Sequence, residues 1–368
     1  PALAAMALYT LQTHAPSGGA GNRTSMRGGG PLVTLVQPEG GLWPLIWANV
    51  PYGSPATPEV LPWTRPTMTS EGGRQVFPQQ AHPAEAFFGM PRRLRLTEEG
   101  GLITGVMQRP YGTNYAGWDH PLTPYYRQKL TDEWLPRHPR AGLFGYRNWL
   151  GVICAGQQEA DGELTGLSRR AQTLRDWGGR GGRRKQVRVL VAGWSMDNMK
   201  PRDFTFSTQP FISLSHECEA TLQGMIEAAE LFGLALRAAL KPLLAEGESR
   251  EAVREAFHAR TQAAFETRLG ELEAGIDPQQ VARDWMTDMR RTAMALFEAR
   301  ALPGLADREL MKKPSESGKK VKEASTQRDI VYAHRNLVSA FAGYGKTGEA
   351  AYQKLDLPLP SQKKKEAA

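Results

Sequence analysis

The chain has 368 residues, of which 40% are hydrophobic and 23% charged, and its formal net charge is +8 at pH 7. That balance excludes a disordered or fibrous chain and leaves room for two domains, each with a buried core. A positive surplus favours a polyanionic partner.

Ala2 to Gln12 reads as a helix. The sequence opens inside this pattern without an initiator Met, so its first residues are expected to belong to a longer natural protein. A glycine-rich stretch follows from Ala15 to Gly30 and leads into a strand-like run, Pro31–Val36. Glycine permits positive φ and close backbone approach to a ligand, and Arg23 and Arg27 are forks that suit phosphate. The stretch therefore reads either as a phosphate or nucleic-acid cradle or as a flexible connector.

Short apolar runs broken by turn residues come next: Leu42–Trp47, Leu102–Met107, Leu143–Tyr146 and Val187–Val191. Their length and β-branching predict short strands. Trp43, Trp47, Trp63, Trp118, Trp134, Trp149, Trp177 and Trp194 are expected to pack this domain, with base stacking as the alternative for one or two. Arg169, Arg170, Arg175, Arg180, Arg183, Arg184, Lys185 and Arg188 face one acid, Asp176, in a glycine-rich segment. This pattern suits phosphate backbone contact without base readout. Two strand-like runs, Val187–Val191 and Asp203–Ser207, flank the polar tip Asp197-Asn198-Met199-Lys200, which predicts a hairpin.

From about residue 214 the composition shifts to Ala, Glu, Leu and Arg. Leu222, Ile226, Ala229, Leu236 and Leu240 recur at helical spacing. So do Val253, Phe257 and Phe265, then Val281, Trp285, Met289 and Leu296, and finally Ile330, Val331, His334, Leu337, Val338 and Phe341. Asp277-Pro278 is an N-cap followed by Pro at the first helical position, and Gly247 and Gly275 fall where helices should stop. The prediction is an α+β chain. Residues 1–213 form an irregular mixed α/β domain with short strands, and residues 214–368 form a four-helix bundle. The bundle carries an exposed basic loop at 312–325 and ends in a disordered Lys-rich tail after Pro360.

Little here supports enzymatic chemistry. The segment Gly343-Tyr-Gly-Lys-Thr-Gly348 resembles a phosphate loop, but Ala340 stands where the pattern needs glycine, so it reads as a helix stop. The histidines form no His-x-x-x-His pair, and Cys154 and Cys218 form no metal pattern, so no metal or other cofactor is expected. The lack of a disulfide framework fits a cytoplasmic location. No apolar run reaches the roughly 18 residues of a membrane span, and no signal peptide is evident.

The order of these pieces resembles CasA, the large subunit of type I-E CRISPR Cascade. Ala7-Leu8 through Ala15-Pro16, the glycine loop, Met26–Leu35, Pro78-Gln-Gln-Ala-His82, Thr104-Gly105, Gly117-Trp118, His120-Pro121, Gly193-Trp194 and the terminal helices carry the likeness. Each is weak alone, whereas the ordered set is fairly specific. The resemblance implies a non-enzymatic DNA-binding subunit that inspects the protospacer-adjacent motif (PAM) chiefly from the minor groove. Guide RNA would read sequence by base pairing, a division of labour known in another RNA-guided effector.

It also implies three contact elements. The glycine loop is Ser17-Gly18-Gly19-Ala20-Gly21, continuing into Asn22 and Arg23. The finger is Gln108-Arg109, and the duplex-opening wedge is Asp197-Asn198-Met199. Arg169, Arg170, Arg180, Arg183, Arg184 and Lys185 would hold phosphates. The implied partners are target duplex DNA and its displaced strand, the guide RNA complex, other Cascade subunits and a helicase–nuclease. Ala20 departs from a family glycine, Asn198 stands where a glutamine is expected, and the finger carries Arg in place of Lys. Some relatives carry a cysteine cluster where this chain has Met90–Gly101, so no zinc is expected. A nucleotide-binding enzyme using the glycine loop and a general single-strand nucleic-acid-binding protein remain as alternatives.

Overall fold

The computed structural model describes residues 1–360 except 17, 20, 54, 156–158, 161–162, 165–166, 178–186, 198–199, 245–249 and 311–325. The loop expected at 312–325, the Lys-rich tail and the helix stop expected at Gly247 lie outside these residues. Residues 1–144 and 151–213 form one compact unit, and residues 145–150 join the chain from 214 onward in a second.

The first unit opens with α1 (Ala2–His14), β1 (Val33–Pro38) and α2 (Leu42–Ala48), followed by the short α3 (Glu85–Phe88). Next come β2 (Arg93–Glu99), β3 (Leu102–Arg109), and the two-residue strands β4 (Tyr125–Tyr126), β5 (Leu135–Pro136), β6 (Glu159–Ala160), β7 (Glu163–Leu164) and β8 (Ser168–Arg169). The unit closes with α4 (Gln172–Trp177), β9 (Val187–Asp197) and β10 (Lys200–Pro210). β9 lies between β1 and β10 in an antiparallel three-stranded sheet. Val187, Val189 and Val191 alternate with more exposed neighbours, so one face of β9 packs inward. β2 and β3 form a separate antiparallel ribbon.

Two expected strands have other structures. Leu42–Trp47 is helical, and Pro44 is tolerated because it sits in the first turn, where no backbone donor is needed. The Asn49 side chain then bonds the Val36 N–H at 2.8 Å, the Val36 carbonyl at 2.7 Å and the Leu45 carbonyl at 2.8 Å, tying α2 to β1. Leu143–Tyr146 runs into a single 3-10 turn at Tyr146–Asn148, where Gly145 N–H bonds the Asn148 side chain. Tyr146 belongs to the second unit: its hydroxyl lies 2.7 Å from Thr261 Oγ1 and its ring stacks on Phe265 at 4.2 Å. The tryptophans also divide. Trp118 and Trp149 are buried, whereas Trp43, Trp47, Trp63 and Trp194 are exposed.

The second unit has five helices among the described residues, one more than expected: α5 (His216–Leu240), α6 (Arg250–Glu273), α7 (Pro278–Ala301), α8 (Gln327–Phe341) and α9 (Gly345–Lys354). The expected apolar positions on α5, α6 and α7 are buried, as are Ile330, Leu337 and Phe341 on α8, while Val331 faces solvent. Asp277 caps α7 by accepting from the Gln279 and Gln280 amides. Gly275, at φ 80°, closes α6, with its N–H on Leu272 O and the Ile276 N–H on Glu271 O.

The glycines of 343–348 explain the missed helix. Gly343, at φ 83°, ends α8, and a Cβ on Gly348 would stand 2.5 Å from the Ala340 carbonyl. Across the bundle, a Cβ on Gly224 would collide with the Lys354 carbonyl. These glycines let α9 fold back against α8 and α5, so their role is packing.

His120 and His258 are buried, and His14 half-buried, as neutral bases. Burial and the nearby Arg27 charge push His14 down to about 4 and hold His120 well below the usual histidine value. His258, buried beside Arg147 and Arg254, is lowered to about 3. The unfolded chain therefore binds more protons than the native one once pH falls below about 6.5. From these groups stability is expected to be flat above that value and to fall below it by up to about 1.4 kcal/mol per pH unit for each of His120 and His258, and by less for the half-buried His14. Urea midpoints at pH 7.5, 6 and 5 measure this, and equal midpoints would contradict it.

Candidate nucleic-acid interface

The glycine-rich stretch is a built loop. Ser25 N–H bonds Ala15 O at 2.9 Å and Gly28 N–H bonds Ser25 O at 2.9 Å. Gly28, Gly29 and Gly30 all have positive φ, and side chains there would meet Pro136, Pro16, or Met196 and Trp194, respectively. This half of the loop is fixed by packing. Arg27 goes with it into the interior, where burial lowers its guanidinium to about 10, so it leaves the surface phosphate set.

The other half faces out and is held to the β2–β3 ribbon. Gln12 and Arg92 exchange two hydrogen bonds, Gln12 Nε2 to Arg92 O at 2.7 Å and Arg92 N–H to Gln12 Oε1 at 2.9 Å. The Arg92 guanidinium then donates to Arg23 O at 2.7 Å and to Pro16 O. Arg23 Nε in turn bonds Ser70 Oγ at 2.8 Å. Gly112 N–H bonds Gly21 O at 3.2 Å, and a Cβ on Gly21, at φ 73°, would overlap the Tyr111 amide. The Gln108 amide donates to Asn22 Oδ1 at 3.1 Å, so two elements separated by 86 positions touch.

This assembly joins Gly21, Asn22 and Arg23 of the loop with Gln108 of the finger, while Arg109, the next residue on β3, projects to the opposite face of the ribbon. Gly18 and Gly19 lie on its open side, and a Cβ added at Gly18 would meet open space, while Ser17 and Ala20 are outside the described residues. Sequence reasoning passed over Arg92, the residue that binds the parts together, and Arg93 and Arg95 on the ribbon. Arg93 pairs with Arg109 and Arg95 with Met107, so directly paired residues put three guanidiniums on one face. The signal was present in Pro91-Arg-Arg-Leu-Arg-Leu96, where a period of two predicts charge on a single strand face.

The hairpin expected around 197–200 is formed, and Lys200 pairs with Asp197. Arg202 bonds the Asp197 carboxylate at 2.6 and 3.2 Å. Asn198 and Met199 lie outside the described residues, as do Arg180, Arg183, Arg184 and Lys185. Arg169 is corrected: it is buried, paired with Asp119 and placed 5.0 Å over Tyr125 and 4.4 Å over Trp134. Its buried guanidinium, held by the exposed Asp119 carboxylate and two aromatic faces, is left no phosphate to reach. Arg170 is half-buried beside it and receives the Arg175 Nε at its carbonyl.

Among the described residues no group of three or more His, Cys, Asp or Glu could hold a metal ion, and no helix is long and apolar enough to cross a membrane. A rigid backbone loop clasped to a ribbon that carries three arginines on its other face suits an extended polyanion that passes along the ribbon. The family profile for CRISPR-associated protein Cse1 matches residues 1–296, and the chain belongs to that family. Comparison with the curated proteins gave no match.

The fold is similar to that of Thermus thermophilus CasA (Cse1), with 20% identity and a TM-score of 0.62 over 92% of this chain and 70% of that one. Thermobifida fusca Cse1 gives 18% and 0.54, covering 91% of this chain and 63% of its own. A chain from a structure described as a CRISPR RNA-guided surveillance complex gives 13% and 0.59, covering 86% of this chain and 61% of its own.

Two glycine substitutions separate a structural role from a contact role. Gly21→Ala is expected to cost about 1–3 kcal/mol through positive φ and overlap with Tyr111, lowering the melting temperature by about 2–10 °C. Gly18→Ala, with open space around it and no positive φ, should leave melting unchanged. Thermal unfolding of both variants by circular dichroism checks the pair.

Proposed function

We propose that this chain is the DNA-inspecting large subunit of an RNA-guided CRISPR interference complex. In this reading the first unit examines the PAM in duplex DNA and starts strand separation. The observation that carries it is the Asn22–Gln108 contact, which makes the glycine loop and the finger one continuous surface. Membership in the Cse1 family supports the same reading.

Each part then has a physical task. Gly18 and Gly19 present backbone with little side-chain bulk, the requirement for entering a groove about 6 Å wide, while Gly21 anchors them by packing on Pro110 and Tyr111. Gln108 reaches the groove edge from the adjacent strand, and Arg109 stands with Arg93 and Arg95 on the ribbon's other face. Arg93 and Arg95 neutralise phosphates beside it, supplying affinity without base information. Asp197, Asn198 and Met199 at the hairpin turn would enter below the PAM, where unstacking a base step costs a few kcal/mol that new contacts must offset. The role is binding and duplex opening, without bond chemistry. Guide RNA, the other Cascade subunits and a helicase–nuclease would complete the complex, and the helices of the second unit would support the displaced strand.

The nucleotide-enzyme alternative requires a strand, a phosphate loop and then a helix. Here α1 precedes the loop and β1 follows it, the reverse order.

The deciding measurement is duplex binding by a guide-loaded complex, with and without this chain, across a randomised PAM library at fixed salt. PAM-dependent binding that vanishes without the chain is expected. Equal binding in both arms would overturn the assignment, and binding without PAM preference would leave a general nucleic-acid-binding protein. In the same assay, Asn198→Ala should slow R-loop formation on a linear duplex, and an unchanged rate would remove the wedge. Replacing Arg93, Arg95 and Arg109 with Gln should flatten the plot of log K against log salt by about 0.9 for each phosphate no longer neutralised. An unaltered slope would exclude the ribbon from the interface.

A further inference from the structure

The outward face of the β9–β10 hairpin carries an aromatic ladder that the groove-reading elements do not use. Register places Trp194 opposite Phe204 and Ala192 opposite Phe206. The Trp194 and Phe204 rings are 4.8 Å apart, and Phe204 and Phe206 follow at 6.5 Å with planes 21° apart. Phe206 is 68% exposed, Phe204 47% and Trp194 36%. Large apolar rings left in water in a contiguous row are costly unless a ligand uses them.

The surroundings indicate the ligand. The paired outward positions along this face are Arg188 and Pro210, Leu190 and Thr208, Ala192 and Phe206, Trp194 and Phe204, and Met196 and Pro201. None is acidic. Exposed Arg188 lies at the open end and exposed Lys200 near the turn, where Arg202 is paired with Asp197. Aligned rings with cations at both ends match a strand of unpaired bases, whose faces stack while its phosphates need positive charge. A protein partner would need apolar surface but no such alternation of ring and charge.

The ladder is also well supported. Trp194 N–H bonds Gly30 O at 3.2 Å, and a Cβ on Gly30 would stand 3.2 Å from the Trp194 Cβ, so the packed half of the glycine loop braces it from below. The ladder lies on the same two strands that meet at the Asp197–Lys200 pair.

We propose that Trp194, Phe204 and Phe206 form a stacking platform for unpaired DNA bases. The proposal rests on the DNA-opening reading above: bases freed at the hairpin turn would be received along the face of the same hairpin. It adds a binding site, and three residues, to that reading.

The test uses the full chain and a fluorescent oligothymidylate of about 20 nucleotides, with an abasic oligonucleotide of equal length as control. Phe204→Leu/Phe206→Leu and Trp194→Leu keep apolar bulk and remove rings. Because the rings are exposed, the variants should fold normally, which circular dichroism verifies. Each variant should bind oligothymidylate at least about fivefold more weakly, the lower bound for losing one stacked base, and bind the abasic strand unchanged. With 5-iododeoxyuridine in the strand, photocrosslinks should map to these three residues.

Affinity within twofold of the parent would overturn the platform, as would equal loss on the abasic strand. Unaltered strand binding with lost incorporation into the guide-loaded complex would mark a protein-docking face and also overturn it. The PAM library separates the two readings. Absent PAM preference with ring-dependent strand binding would defeat the PAM assignment alone, and intact PAM preference with ring-independent strand binding would defeat the platform alone.

Discussion

Arg92 holds the candidate interface together. Its guanidinium donates to two carbonyls of the glycine loop while its backbone exchanges hydrogen bonds with Gln12 at the end of α1. A loop with several positive-φ glycines has a large entropy to lose on ordering. Charge-assisted bonds to its carbonyls at both ends are among the stronger ways to offset that loss. Burial lowers the Arg92 guanidinium from its ordinary value, yet an arginine stays charged at neutral pH. The loop, the finger and the ribbon are thereby one object, and groove inspection by backbone depends on such fixed geometry.

Glycine does opposite work in different parts of this chain. At 28–30 it allows backbone to meet Pro16, Pro136 and the Trp194 strand, and at 224 and 348 it lets helices approach within the second unit. At 18 it touches nothing and leaves backbone open to solvent. Only the second kind is free to receive a ligand. A glycine-rich composition therefore does not itself identify a binding loop. The space around each Cβ position does.

Charge is partitioned in a similar way. Arg27 and Arg169 are buried, while Arg147, Arg237 and Arg254 interlock with Glu230 and Glu251 in the second unit. Arg268 similarly joins Glu271 and Asp288. Much of the basic surplus that suggests a polyanionic partner is thus engaged in holding the protein together. The ribbon arginines 93, 95 and 109, and Arg188 and Lys200 of the β9–β10 hairpin, are placed to act on a ligand.

The sequence by itself determined the α+β class, the long helices α5 to α8, the Asp277 cap, the Gly275 stop and the β9–β10 hairpin. These depend on local periodicity and capping, which are written in consecutive residues. Within the candidate site it pointed to the glycine loop, and only the family likeness pointed to Gln108 and Arg109. Only the tertiary structure decided that Leu42–Ala48 is a helix, because the Asn49 bonds that tie it to Val36 join residues 13 apart. It alone placed Arg169 in the interior, brought Asn22 to Gln108 and turned Trp194, Phe204 and Phe206 outward as a row. Those outcomes depend on which distant segment meets each side chain. Two arginines or two tryptophans with similar local sequence can therefore end in opposite environments.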